Sequence, residues 1–253
     1  MGQWVLSGLR TGIKSTRYPR RPETAPGVSP GLPTVGVTSA EEAAALASRC
    51  PTGALTPQGQ HVHIDPRRCV HCFRCARDGA PTIGWQDGYE WGALVRSAVP
   101  LGPAFRRSVH IRVVDAGDCG ACLHEVRQLN NPYYNMHRLG LFITPTPRQA
   151  DLLLVVGPVT DPMREPLLRT YEAMPEPKRV VAVGACALSG GVFGASFACA
   201  GGVAEALPVD VEVPGNPPPP LAILHGLLVA VGRKPSAPWP ALAGDGRGEG
   251  RAP

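Results

Sequence analysis

From about residue 108 the chain alternates apolar, β-rich runs with amphipathic stretches of helical period. The runs are VHIRVVDAG, LGLFIT, ADLLLVVGPV, KRVVAVGAC and PVDVEVPG, and among them lie CGACLHEVRQL and DPMREPLLRTYEAM. Apolar β-rich runs separated by helical stretches indicate strands buried on both faces, so the pattern predicts a mostly parallel sheet with helices on either side, an α/β domain. Ligands of such sheets gather at the loops beyond the strands' carboxyl ends. Cys119, Cys186 and Asn216 all fall in loops of that kind.

Upstream the grammar differs. TSAEEAAALASR, residues 38–49, has Thr38 or Ser39 as N-cap and Glu41 and Glu42 in the first turn, so it predicts a helix leading to Cys50. Residues 17–34, RYPRRPETAPGVSPGLPT, carry so many prolines that neither helix nor sheet is expected to persist, only an extended arm. Before it, Trp4, Leu9 and Ile13 recur on one helical face among Arg10 and Lys14, a stripe suited to a membrane surface, a partner's groove or the protein's own flank. The Pro- and Gly-rich tail after residue 234 is expected to be disordered.

Composition narrows the function classes. At 253 residues the chain is long enough for one sizeable α/β domain and a small module. The net charge of +5 is spread without a basic stripe interleaved by aromatics, which argues against nucleic acid as partner. No run approaches the length of a membrane span, and the first residues lack the apolar core and cleavage site of a secretion signal, so a cytoplasmic protein without its own transmembrane helix is expected. Five of the eight cysteines stand in Cys-x-x-Cys spacings, which in a reducing compartment favours metal ligation over disulfides.

CVHCFRCARDGAP, residues 69–81, places Cys69, Cys72 and Cys75 at two-residue gaps, but the fourth cysteine expected before a proline is missing. In two-cluster ferredoxins such a run gives three ligands to one cluster, and its fourth cysteine serves the other cluster. Cys50, followed by Pro51, occupies the place of that crossing ligand, so Cys50, Cys69, Cys72 and Cys75 form one thiolate set for a 4Fe-4S cube. The positions for a second cube hold Ala40, Ala43, Leu46 and, downstream, Gly79 and Ala80. Tetrahedral zinc is the competing reading of four cysteines. His71, inside the loop, is expected to donate a hydrogen bond near the cluster rather than to ligate. Residues 5–90 resemble the ferredoxin-like subunits of complex I and of formate-hydrogenlyase-type nickel-iron hydrogenases through LRTGIKSTRYPRRPE, CPTGAL and IDPRRCVHCFRCA.

In DCGACLHEV, Cys119 and Cys122 precede a helix whose N-terminal amides and dipole favour thiolate. GACALSGG carries Cys186 in a glycine-rich loop that lets backbone approach a bulky ligand, with neither the Rossmann nor the P-loop spacing. Residues 108–232 resemble the small subunit of group 4 nickel-iron hydrogenases and the cluster-bearing B subunit of complex I, through DCGACLHEV, the stretch from NNPYYNMHRLGLFITP to VVAVGACALSGGVFG, and PVDVEVPGNPPPPLAILHGLL. That resemblance implies a flavodoxin-like fold holding a 4Fe-4S cluster against a large catalytic subunit, with ligands at Cys119, Cys122, Cys186 and the residue before a Pro pair. Here that residue is Asn216, where the family pattern has cysteine. An amide oxygen is a poor substitute for thiolate on iron. Three outcomes stay open: a 3Fe-4S cluster, a 4Fe-4S cluster completed by Asn216, water or a partner, and no cluster. Cys199 is a conceivable stand-in ligand or a buried thiol. Glu125, one turn beyond Cys122, is a candidate proton relay or interface residue, and Arg164 a candidate contact to a partner or cluster sulfur. His110 and His137 read as structural.

The expected organisation is a docking arm at 1–35, a ferredoxin-like one-cluster module of α+β type at 36–100, the hydrogenase small-subunit-like domain at 101–234 and a tail at 235–253. The expected function is electron transfer, without catalytic residues of its own, in a membrane-associated hydrogenase-like or complex I-like oxidoreductase, peripheral on the cytoplasmic face alongside a large subunit and membrane subunits. The alternative is a degenerate small subunit that mainly bridges partners.

Overall fold

The computed structural model describes residues 2–25, 27–36, 38–79, 83–96 and 101–237. The chain begins with helix α1 (Gln3–Thr11), none of whose side chains is buried, so Trp4, Leu9 and Ile13 lie open to solvent. Strand β1 (Leu32–Val35) pairs antiparallel with β4 (Ile83–Gln86). The last residues of the proline-rich arm are thus strand, contrary to the expectation of irregular chain. A two-stranded ribbon has only edges, and an edge tolerates Pro33, which lacks the N–H that a central strand would need.

Helix α2 (Ala40–Arg49) starts at Ser39, whose hydroxyl accepts the Glu42 N–H at 3.2 Å, and ends at Cys50. Its apolar face, Ala43 and Leu46, packs on Leu55 and Val62 of the hairpin β2 (Leu55–Gln58) and β3 (His61–Ile64). This core is small. Cys50 and Cys75 pack against it, beside a 3₁₀ turn at Arg74–Gly79.

The larger unit is a six-stranded sheet in the order β5-β10-β9-β8-β6-β7. Its strands are β5 (Ala93–Leu94), β6 (Val109–Asp115), β7 (Leu141–Ile143), β8 (Leu152–Val156), β9 (Arg179–Val183) and β10 (Val211–Val213). β6 to β10 run parallel, and the short β5 joins antiparallel to β10 at the edge. Counted along the parallel strands the order is 2-1-3-4-5, the flavodoxin-like winding, whose crevice opens where the order reverses at the strands' carboxyl ends. Leu152–Val156 and Arg179–Val183 are buried at every position, which is why they read as continuous apolar runs. Helices α3 (Ala121–Gln128) and α6 (Pro220–Ala230) cover one face. Helices α4 (Asp161–Glu172) and α5 (Ala185–Ser189) cover the other. α6 is apolar nearly all round and buried at all eleven residues, as a helix enclosed between the sheet and the segments packed over it must be.

Two segments cross the expected boundaries. Tyr89, Trp91 and Ala93 lie before residue 100, yet Tyr89 and Trp91 join the core of the large sheet and Ala93 sits in its edge strand. The Trp91 indole N–H donates to the Pro214 carbonyl at 2.9 Å, and the Gly92 N–H to Nδ1 of buried His225 at 3.0 Å. The arm is likewise docked on its own protein at residues 16–23. Tyr18 is fully buried, edge-on to Tyr89, and its carbonyl accepts from Arg138, while the Thr16 N–H donates to the Tyr133 carbonyl. Of the tail, residues 235–237 are held, with the Ala237 N–H on the Gly92 carbonyl and Ser236 accepting from Leu94; the expected disorder of residues 238–253 falls outside the described residues. Ala80 also lies outside them.

Candidate metal centres

Cys50, Cys69, Cys72 and Cys75 line one pocket together with Val70, His71, Phe73 and Trp85. The loop wraps because His71 (φ 50°) and Phe73 (φ 57°) take left-handed backbone between the cysteines, a conformation that non-glycine residues adopt at a cost and that clusters at functional sites. Trp85 of β4 backs both, at ring distances of 5.7 Å to His71 and 4.5 Å to Phe73.

The electrostatics of the pocket is that of crowded thiols. Burial pushes Cys69 up to about 11, and the neighbouring Cys75, Cys50 and Cys72 add to the rise. Burial raises Cys75 for the same reason. Cys50 goes the other way: although burial opposes it, amides of Thr52, Leu55 and Ala54 and the Thr52 hydroxyl hold the thiol below its ordinary value, with the Ala54 N–H 3.2 Å from Sγ. Cys69 and Cys75, whose burial resists ionisation, beside Cys50, whose thiolate is favoured by amides, suit a cationic centre that supplies positive charge to the pocket. Burial also lowers the pKa of His71, so its imidazole is neutral, and its Nε2 is buried without a partner among the described residues. An orphaned buried ring nitrogen beside a thiol pocket fits a cluster sulfur as its acceptor. The four thiols line one pocket, and among the described residues no three His, Cys, Asp or Glu side chains stand close enough together to hold a metal ion.

The second set is built from the ends of the sheet's strands. Cys119 is exposed in the loop after β6, and Cys122 is buried in the first turn of α3. Cys186 opens α5 after β9. Burial drives the thiols of Cys122 and Cys186 upward, and each is raised further by Cys119 and by the Asp118 carboxylate, so these groups share one electrostatic neighbourhood. Two glycines make the room. A Cβ on Gly184 (φ +91°) would collide with Cys122 Sγ, and one on Gly191 (φ +59°) would sit 2.7 Å from Cys186 Sγ. Cradles that any side chain would fill, carved around two thiols, fit a bulky ligand held by sulfur.

Asn216, in the loop after β10, is engaged elsewhere. Its Nδ2 donates to the Val70 carbonyl at 3.1 Å, inside the Cys69–Cys72 loop of the first set. Cys199 is buried and directs Sγ to the Pro158 carbonyl at 3.1 Å, although it lies near enough to Cys186 to raise that thiol. Glu125 is half-buried, its carboxyl raised by burial, and it acts electrostatically on Cys122. Arg164 is exposed on α4 and, among the described residues, makes no side-chain hydrogen bond or ion pair. His110 packs on Phe142, its backbone N–H donating to Asp151 Oδ2 at 2.7 Å, and His137 stacks on the same Phe142.

Two residues that the cysteine spacings leave unmarked matter here. Asp118 caps α3, its Oδ2 accepting the Gly120 and Leu123 N–H groups at 3.0 Å each, and so places a carboxylate at the mouth of the second set. Its position directly before Cys-x-x-Cys and a helix is an N-cap signal that could have found it. Ser189 donates toward the Arg67 carbonyl at 3.0 Å, a contact that local pattern does not announce.

A flavodoxin-like sheet with Cys119, Cys122 and Cys186 in or just after the loops beyond the carboxyl ends of its parallel strands defines the class as an α/β subunit of flavodoxin-like winding. Residues 119–230 match the profile of the family described as NADH ubiquinone oxidoreductase, 20 Kd subunit. The chain is 42% identical over 125 residues to the "Probable membrane-bound hydrogenase subunit mbhJ" of Pyrococcus furiosus, covering 49% of this chain and 75% of that one. It is 41% identical over 127 residues to formate hydrogenlyase subunit 7 of Escherichia coli, which covers 50% of each. It is 47% identical over 107 residues to the NADH-quinone oxidoreductase B subunit of Citrifermentans bemidjiense, covering 42% of this chain and 62% of that one. The chain belongs to the 20 Kd subunit family of NADH ubiquinone oxidoreductase. The family profile begins after the first thiol set, so Cys50 to Cys75 stand on their own geometry.

Proposed function

We propose that the chain is an iron-sulfur electron-transfer subunit of a membrane-associated oxidoreductase of the hydrogenase and complex I type. The single observation that carries this reading is the pocket shared by Cys50, Cys69, Cys72 and Cys75, joined to an α/β domain of a family whose relatives are named as hydrogenase and quinone-reductase subunits. In it the four thiols would hold a 4Fe-4S cluster, which when bound accepts and releases one electron. The chain's part is to supply negative sulfurs, to shield them from water with Trp85 and Phe73, and to temper their charge with the Ala54 amide and the His71 ring. Cys119, Cys122 and Cys186 would hold a second, three-thiolate centre. A large catalytic subunit and membrane subunits are the partners, with the chain peripheral on the cytoplasmic face; no helix among the described residues is long and apolar enough to cross a membrane. The exposed stripe of Trp4, Leu9 and Ile13 at the N-terminus serves as the docking element.

The adaptor reading, in which the second site passes no electrons, draws support from Asn216 being engaged away from the thiols. Electron paramagnetic resonance of the reduced complex separates the two readings. Signals from two centres favour the electron path, one centre favours the adaptor, and no signal with stoichiometric zinc overturns the electron-transfer reading.

A further inference from the structure

The loops of the second set reach across to the first. Asn216, in the loop after β10, donates from Nδ2 to the Val70 carbonyl at 3.1 Å. Ser189, three residues beyond Cys186, lies 3.0 Å from the Arg67 carbonyl. These two carbonyls bracket Cys69. The contacts differ in strength, because a hydroxyl carries one proton and Ser189 stands equally close to the Ala185 carbonyl, whereas the Asn216 amide brings two N–H donors. The backbone that presents Asn216 is itself fixed. The Trp91 indole holds the Pro214 carbonyl at 2.9 Å, and the Ala185 N–H holds the Gly215 carbonyl at 2.8 Å.

We infer that Asn216 is a positioning residue of the first site: its amide clamps the Cys69–Cys72 loop to the α/β sheet, and the second site is thereby left with three thiolates. This rests on the first site holding a cluster, but only in part, since the clamp is a property of the backbone. Thiolate has no N–H to donate, so cysteine at 216 cannot make this contact. Val70 and His71 lie between two ligands, so fixing the Val70 carbonyl restrains the orientation of both sulfurs and of the His71 ring.

The test uses the full chain, purified anaerobically, as wild type, Asn216→Ala and the isosteric Asn216→Asp. Hydrogen exchange is read at amides 67–75, with β8 and β9 as the internal measure of an intact fold. Loss of one partly buried hydrogen bond is expected to speed exchange in 67–75 by roughly tenfold in Asn216→Ala. Asn216→Asp, which sets a carboxylate against the Val70 carbonyl, should speed it further and move the first cluster's reduction potential to more negative values, because added negative charge disfavours the incoming electron. Unchanged exchange in 67–75 in both variants overturns the clamp. So does a loss of second-site signal in Asn216→Ala with 67–75 unmoved, which would make Asn216 a ligand. Iron content and the cubane signal of the wild type test the cluster separately. If both are absent, the proposed function fails and the positioning role with it, whereas iron and a cubane signal present with exchange unmoved in both variants overturn the clamp alone.

Discussion

The two thiol sets stand on unlike supports. The first hangs on a loop whose apolar backing is a small cluster around Ala43, Leu46, Leu55, Val62 and Ile83. The second projects from the ends of a sheet whose central strands are buried throughout. In the first, backbone must bend to the sulfurs, as the left-handed His71 and Phe73 show. In the second, the sheet sets the positions and glycine removes what would collide, as Gly184 and Gly191 do beside Cys122 and Cys186. A site carried by a rigid sheet can lose one ligand and keep the other three in place. A site carried by a small module depends on its metal for its shape.

The comparison breaks most easily at the first site. Cys72→Ala is expected to abolish the first cluster and to loosen residues 36–86 while leaving β6 to β10 ordered, a contrast visible in hydrogen exchange. Equal protection of both regions in this variant would show that the module does not rely on its metal.

The second site should respond in the opposite sense, by losing stability rather than shape. Gly184→Val would drive a Cβ into Cys122 Sγ at a position with φ +91°, so a loss of about 2–4 kcal/mol is expected from overpacking and left-handed strain together. Chemical denaturation measures it. The same substitution at Gly59 (φ +63°), whose Cβ would meet nothing within 4 Å, should cost only the strain.

The seam between the two regions gives the smallest effect, and its sign follows from His225. Burial holds this histidine below its ordinary pKa, and its Nδ1 accepts the Gly92 N–H, so the folded protein wants it neutral. Its contribution is complete above the unfolded value of about 6.5 and is lost as pH falls through the folded pKa. Melting followed between about pH 7.5 and 5.5 should show a fall of up to about 1.4 kcal/mol per pH unit that is shallower in His225→Gln.

What the sequence made legible follows from locality. Strands β8 and β9 announce themselves because burial at every position demands a nearly continuous apolar run, and Cys69, Cys72 and Cys75 announce themselves because one short stretch carries them all. The contacts that join the regions have no such signature. Tyr18 falls in the stretch expected to be an extended arm, and Tyr89 and Trp91 in the stretch assigned to the small module, yet all three complete the core of the large sheet. Strand β5 is two residues long and is made by its partner β10 rather than by its own propensity. The role of Asn216 depends on Val70, 146 residues away, and no spacing rule spans that distance.

The most direct measurement is metal and sulfide analysis of the anaerobically purified full chain beside Cys72→Ala, read together with its electron paramagnetic resonance spectrum. The account predicts about seven irons in the wild type, about four of them lost with Cys72, and a cubane signal that disappears with them. One zinc per chain in place of iron, or an iron content that Cys72→Ala leaves unchanged, would contradict it.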